Sequence, residues 1–149
     1  MPLAAPITAL PDPVEEPRFY DGVPAKRALA WVVDMTLVLV LTLLVGLLTL
    51  TAALWVFPLT WLVIDGLYRL ATISGRSATW GMRLMGIELR DHRGQRLDGM
   101  QAMIHTVGYL ASWMMLLPQI LSMGAMLATD RKQGLTDLLI GTTAVNRPG

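Results

Sequence analysis

From Ala28 to Ile64 the chain runs thirty-seven residues with a single charged side chain, Asp34. That apolar run is too long for one soluble core helix, because about 20 residues already cross the hydrocarbon of a bilayer. The pattern predicts an integral membrane protein. A first spanning helix is expected from about Ala28 to Leu50 and a second from about Ala53 to Thr72. The turn between them carries no charge, so the two form an antiparallel transmembrane hairpin. Pro58 falls in the first turns of the second helix and is expected to kink it. Trp31 and Trp55 suit interfacial rings near opposite ends.

A polar stretch follows from Arg69 to Gly99, with Arg69, Arg76, Arg83, Arg90, Arg93 and Arg96 opposed by Glu88, Asp91 and Asp98. Ile87-Glu88-Leu89-Arg90 alternates apolar and charged residues as a half-buried strand does. Asp91-His92-Arg93-Gly94 reads as a turn. A short β-hairpin on the membrane surface is predicted, with Trp80 and Met82 at the headgroups. The second apolar tract, Met100 to Thr129, suits one tilted span or two short helices breaking at Pro118. Arg131, Lys132 and Arg147 follow it. The positive-inside rule keeps those cations in the cytoplasm with the N-terminus and the Arg loop, which favours two helices. Thr142 to Asn146 would then lie beside the Ile87 strand. Gly108 with Ser112, and Gly124 with Ala128, give small-xxx-small spacing for helix contact. The expected fold is an all-α membrane protein: a transmembrane helical hairpin, a short cytoplasmic β element, then a second apolar tract as a hairpin or single span.

Composition narrows this further. The chain is 54% hydrophobic and 15% charged over 149 residues, enough for one compact membrane domain, 26–149. Residues 1–25 hold six of the nine prolines with Asp12, Glu15, Glu16 and Asp21. They lack the pattern of a signal peptide and read as a disordered cytoplasmic tail, with Phe19 and Tyr20 as its only anchors. A net charge of +1 gives no footprint for nucleic acid. With no cysteine, disulfides and thiolate chemistry are excluded. His92 and His105 lie thirteen apart without paired ligand spacing, and no phosphate loop or dinucleotide fingerprint is present. No cofactor, metal or catalytic role is expected.

The chemistry lies in charges inside the apolar tracts. Arg27 and Asp34 are seven residues apart, on one helix face about 10 Å apart along the axis. In an antiparallel hairpin Asp65 comes to a similar depth, and Arg69 follows it at i+4. His105 enters from the third tract. Arg27, Asp34, Asp65, Arg69 and His105 are therefore expected in one polar layer. It either locks the helices through ion pairs or forms a cation or proton site. The outer halves of the first two helices offer no polar trail.

These residues together resemble the RDD family of small bacterial membrane proteins. Arg27-Ala28 and Asp34 match the opening of its first helix. Ser77 to Gly86 is similar to its loop G-x-T-x-G-K-R-L-x-G, which places Arg83 and Gly86 in the motif. Asp130, Gln133, Asp137, Gly141 and Thr142 approximate its C-terminal pattern, with Asp137 as the second name-giving aspartate. Met82, His105 and Thr136 stand where the family has Lys, Arg and His. The resemblance implies a bacterial inner membrane location, and a role in transport, in some members cation/proton exchange. It also implies that Asp137 faces the cytoplasm and meets the loop arginines, Arg83 especially. Small size, missing cofactor motifs and lost family charges favour an accessory, assembly or scaffold component of a larger membrane complex or homo-oligomer. A small cation/proton exchanger and an anionic-lipid-binding protein are the alternatives.

Overall fold

The computed structural model describes residues 8–148. Helix α1 runs unbroken from Val23 to Leu48, with Pro24 in its first turn where no N–H is needed. It is long and apolar enough to cross a membrane. At its end Leu50 and Thr51 turn left-handed (φ 51° and 70°), and the Thr51 N–H donates to the Gly46 carbonyl at 2.7 Å. A one-turn helix α2, Ala52–Trp55, leads to α3, Phe57–Arg76. The second helix therefore starts later and runs further than expected. Pro58 does not kink it: the break falls at Val56, so that Pro58 occupies the first turn.

The same rule corrects the third tract. Helices α5, Gly99–Met114, and α6, Leu116–Ala128, meet at an angle of 117°. The break is at the extended residue Met115, not at Pro118. Pro118 lacks an N–H and is accommodated in the first turn of α6, which moves the interruption upstream. Asp98 and Gln101 form a capping box that fixes the start of α5. Gly108 does serve close contact, since a Cβ there would lie 2.6 Å from Thr136. Gly124 has nothing within 4 Å, so its small-residue spacing with Ala128 marks no contact among the described residues.

Between α3 and α5 lie a short helix α4, Trp80–Leu84, and strand β1, Ile87–Arg90. The expected local β-hairpin does not form. Asp91 instead accepts from the backbone N–H groups of Arg93 and Gln95, both at 2.9 Å, closing a loop. Burial raises the Asp91 carboxyl, but these backbone donors together with the Gln101 amide outweigh it and hold it below the usual range. Arg93-Gly94-Gln95-Arg96 offers no apolar residue to cover Ile87 or Leu89. β1 pairs antiparallel with β2, Thr143–Asn146, beyond helix α7, Leu135–Ile140, with Ile87 opposite Asn146 and Arg90 opposite Thr143. Thr142 to Asn146 does lie where the sequence placed it. The core at this end gathers Val23, Ile73, Ile87, Leu89, Leu97 and Ala144. Met82, expected at the headgroups, is buried there, while Trp80 is exposed.

The N-terminal tail is corrected as well. Residues 1–7 lie outside the described residues, but 8–22 are held against the C-terminal strand. Leu10 and Tyr20 are buried, and Pro17–Phe19 form a 3-10 turn. The Tyr20 hydroxyl donates to the Pro11 carbonyl at 2.8 Å. Asn146 donates to the carbonyls of Arg18 and Asp21 and accepts from Lys26 at 2.6 Å. Proline-rich composition carries little chain entropy to lose, so a few such bonds suffice to order it.

Candidate functional site

The five residues expected in one layer sort into separate networks. The first is built on Asp137, which is fully buried in α7. Its Oδ2 accepts from Arg27 Nη1 at 2.5 Å and from the Gly134 N–H at 3.1 Å. Its Oδ1 accepts from the Thr142 hydroxyl at 2.9 Å and lies 3.2 Å from His105 Nε2. Burial pushes this carboxyl up, but Arg27 and His105 together outweigh it and hold it well below the usual carboxylate range. Arg27 therefore meets Asp137 and not Asp34. Arg83 does not reach Asp137, as the resemblance implied. It donates instead to the carbonyls of Ala78 and Thr72 at 3.1 and 3.3 Å and packs over Trp80. Burial and the neighbouring Arg76 and Arg147 lower its pKa.

The second network is built on Asp34, 1% exposed, and contains no cation. Oδ1 accepts from the Tyr68 hydroxyl at 2.7 Å and the Gly81 N–H at 2.8 Å, and Oδ2 from the Thr79 hydroxyl at 2.6 Å. Thr79 also caps α4 by accepting from the Met82 N–H. Gly81 must be glycine here, because a Cβ would sit 2.1 Å from the Ala30 carbonyl oxygen. These three donors went unrecognised as partners of Asp34. The signal for Thr79 was present: a threonine before a short apolar run is a helix N-cap.

Asp65 and Arg69 form the local i,i+4 pair expected, at 2.9 Å. Arg69 also donates to the Tyr109 hydroxyl at 2.9 Å and lies 3.7 Å over the Tyr109 ring. Trp31 Nε1 donates to the same hydroxyl, so Tyr109 joins α1, α3 and α5. No bond joins Asp34 to Asp65 among the described residues. Gln133 donates to the Thr142 carbonyl at 2.6 Å, which holds the α7 turn. Gly86, at φ +70°, closes the turn into β1 and its carbonyl accepts from the Arg147 N–H. Asp130 is exposed and lies apart from these networks. Glu88, read as the polar side of a surface strand, is buried, with Arg90 bonded to it and Arg96 and Arg147 within 3.8 and 3.6 Å.

Beside the Asp137 and Tyr109 networks, α1, α5, α6 and α7 enclose a cavity of about 420 Å³. Among the described residues no cluster of three His, Asp or Glu side chains is placed to hold a metal ion.

No curated protein and no solved structure matches the chain. A family model described as the RDD family matches residues 22–141, a span that contains Arg27, Asp34, Arg83 and Asp137. The chain belongs to the RDD family and is a membrane protein.

Proposed function

We propose that the protein is a non-catalytic accessory or scaffold component of a larger assembly in the bacterial inner membrane. The observation that carries this reading is the elbow between α5 and α6. Met115 is extended, and Met114, Met115, Leu116 and Leu117 around it are all exposed. Non-helical backbone at membrane depth is tolerated only where protein or a water-filled cavity covers it. Helix α6 has 13 residues, about 20 Å at 1.5 Å per residue, against about 30 Å of hydrocarbon. An exposed break beside a short apolar helix calls for a covering helix from another chain.

The orientation proposed has the N-terminus, the Arg loop and the C-terminal strand in the cytoplasm. Pairing of β1 with β2 supports it, because it brings both ends of the α5–α6 pair to one side. An exchanger built on Asp34 and Asp65 is less well supported. Both oxygens of Asp34 are already capped by protein donors, and Asp65 is bonded to Arg69.

Gentle extraction from native membranes, native-gel sizing and mass spectrometry test the proposal. Co-migration with other chains at fixed stoichiometry is expected. Migration alone, together with ion flux abolished by Asp34→Asn in a folded protein, would replace it with the exchanger.

A further inference from the structure

The cavity between α1, α5, α6 and α7 goes beyond the accessory reading and stands independently of it. It opens on the apolar surface, where its wall residues Val32, Trp113 and Met123 are exposed. A volume of about 420 Å³ falls in the range of small-molecule sites, about 300–1,000 Å³. Trp31 and Trp113, both in its lining, stack on each other with ring centroids 5.2 Å apart and planes 8° apart, which sets an aromatic pair in the wall.

Charge decides what class of molecule fits. Arg27, Arg69, Asp34 and Asp137 are all among the residues that line the cavity. Arg27 is already paired with Asp137 and Arg69 with Asp65, and both Asp34 oxygens are held by neutral donors, so an ion of either sign would be buried without a free counter-charge. An acidic lipid head would face Asp137, and an organic cation would face Arg27. An uncharged head is favoured.

The lining also offers hydrogen-bonding groups that meet no partner among the described residues. Arg27 gives one N–H group to Asp137, and its others meet no acceptor among the described residues. His105 is 6% exposed and its Nδ1 has no partner among the described residues. Its Nε2 lies 3.2 Å from Asp137 Oδ1, so Nδ1 is the ring nitrogen left for a ligand. Guanidinium donors for a carbonyl oxygen and an unpartnered ring nitrogen for a second polar contact are thus present beside an aromatic pair.

We propose that this cavity is a binding site for an uncharged, ring-headed membrane amphiphile of the quinone class, entering sideways from the bilayer. The carbonyl or hydroxyl oxygens of the head meet Arg27 and His105, the ring packs against the Trp31–Trp113 pair, and the tail leaves past Met123 into lipid.

The test titrates purified protein in detergent micelles with decylubiquinone and follows tryptophan fluorescence. Saturable quenching at one molecule per chain is expected. Ala28→Phe, which adds a ring at an exposed lining position, should weaken it at least tenfold with helicity unchanged. Val32→Phe is the second variant, should Ala28→Phe fail to fold. Quenching that rises linearly and equally in wild type and variants means partitioning alone and overturns the proposal. Saturable quenching by brominated-chain phosphatidylglycerol that decylubiquinone does not displace also overturns it, and makes the cavity an acyl-chain groove.

Discussion

Asp137 and Asp34 are buried to the same degree, yet they are kept buried by different means. Asp137 is surrounded by the cation Arg27, the ring of His105 and two neutral donors. Asp34 has only a phenol, a hydroxyl and a backbone N–H. The first is a clamp that ties the start of α1 to a helix 110 residues later. The second is an anchor that holds the α4 loop against α1. A charge pair tolerates loss of a partner badly, because the other charge is left buried. A carboxylate held by neutral donors loses individual bonds, each worth less. The family's two aspartates therefore do different work in this chain.

The largest predicted effect breaks the clamp. Arg27→Ala should cost about 3–5 kcal/mol by leaving Asp137 uncompensated, read as a lowered midpoint in detergent unfolding. The paired change Arg27→Met with Asp137→Leu should recover most of that loss. Failure to recover would mean that Thr142 and Gly134 depend on the carboxylate itself.

Gly81→Ala comes next. Its Cβ has no room beside Ala30 and Asp34, so α4 must move away from α1, at about 1–3 kcal/mol. Thermal denaturation of the detergent-solubilised protein measures it. Asp34→Asn keeps the shape but turns one acceptor into a donor facing a donor. We expect a loss of about 1–3 kcal/mol in a protein that still folds. A loss as large as that of Arg27→Ala would erase the contrast between the two aspartates. Asn146→Ala, which frees the N-terminal strap from β2, should cost only about 1 kcal/mol and expose residues 8–22 to protease.

The gentlest perturbation is pH. The folded-state pKa of Asp137 is depressed, so its stabilising contribution is complete above the unfolded carboxylate value near 3.9 and fades as pH falls below it. Unfolding midpoints should change little on its account between pH 7 and 5. They should fall more steeply below pH 4 in wild type than in the Arg27→Met, Asp137→Leu variant.

Local pairings were legible in the sequence. The Asp65–Arg69 spacing on one helix fixed that ion pair, and the β-prone Thr142–Asn146 stretch was recognisable beside a charged loop. Both prolines were visible, but each break fell upstream, because proline is least costly in a first turn. The wrong pairings were long-range ones. Arg27 with Asp34, and Arg83 with Asp137, were reasonable by helix geometry and by motif. Arg27 and Asp137 are 110 residues apart, and only the fold of α5 to α7 brings them together. Tyr68, Thr79 and Gly81 escaped notice because neutral donors carry no charge pattern.

By itself the sequence determined the family, the apolar helices, the charged residues within them and the arginine-rich end. Those properties follow from local hydropathy and spacing, which need no knowledge of what packs against what. The tertiary structure alone decided which charge neutralises which, that the proline-rich segment is held, that Glu88 is buried, and that α1, α5, α6 and α7 leave a cavity. Each of these depends on the closure of long loops, and closure is set by the packing of the whole chain.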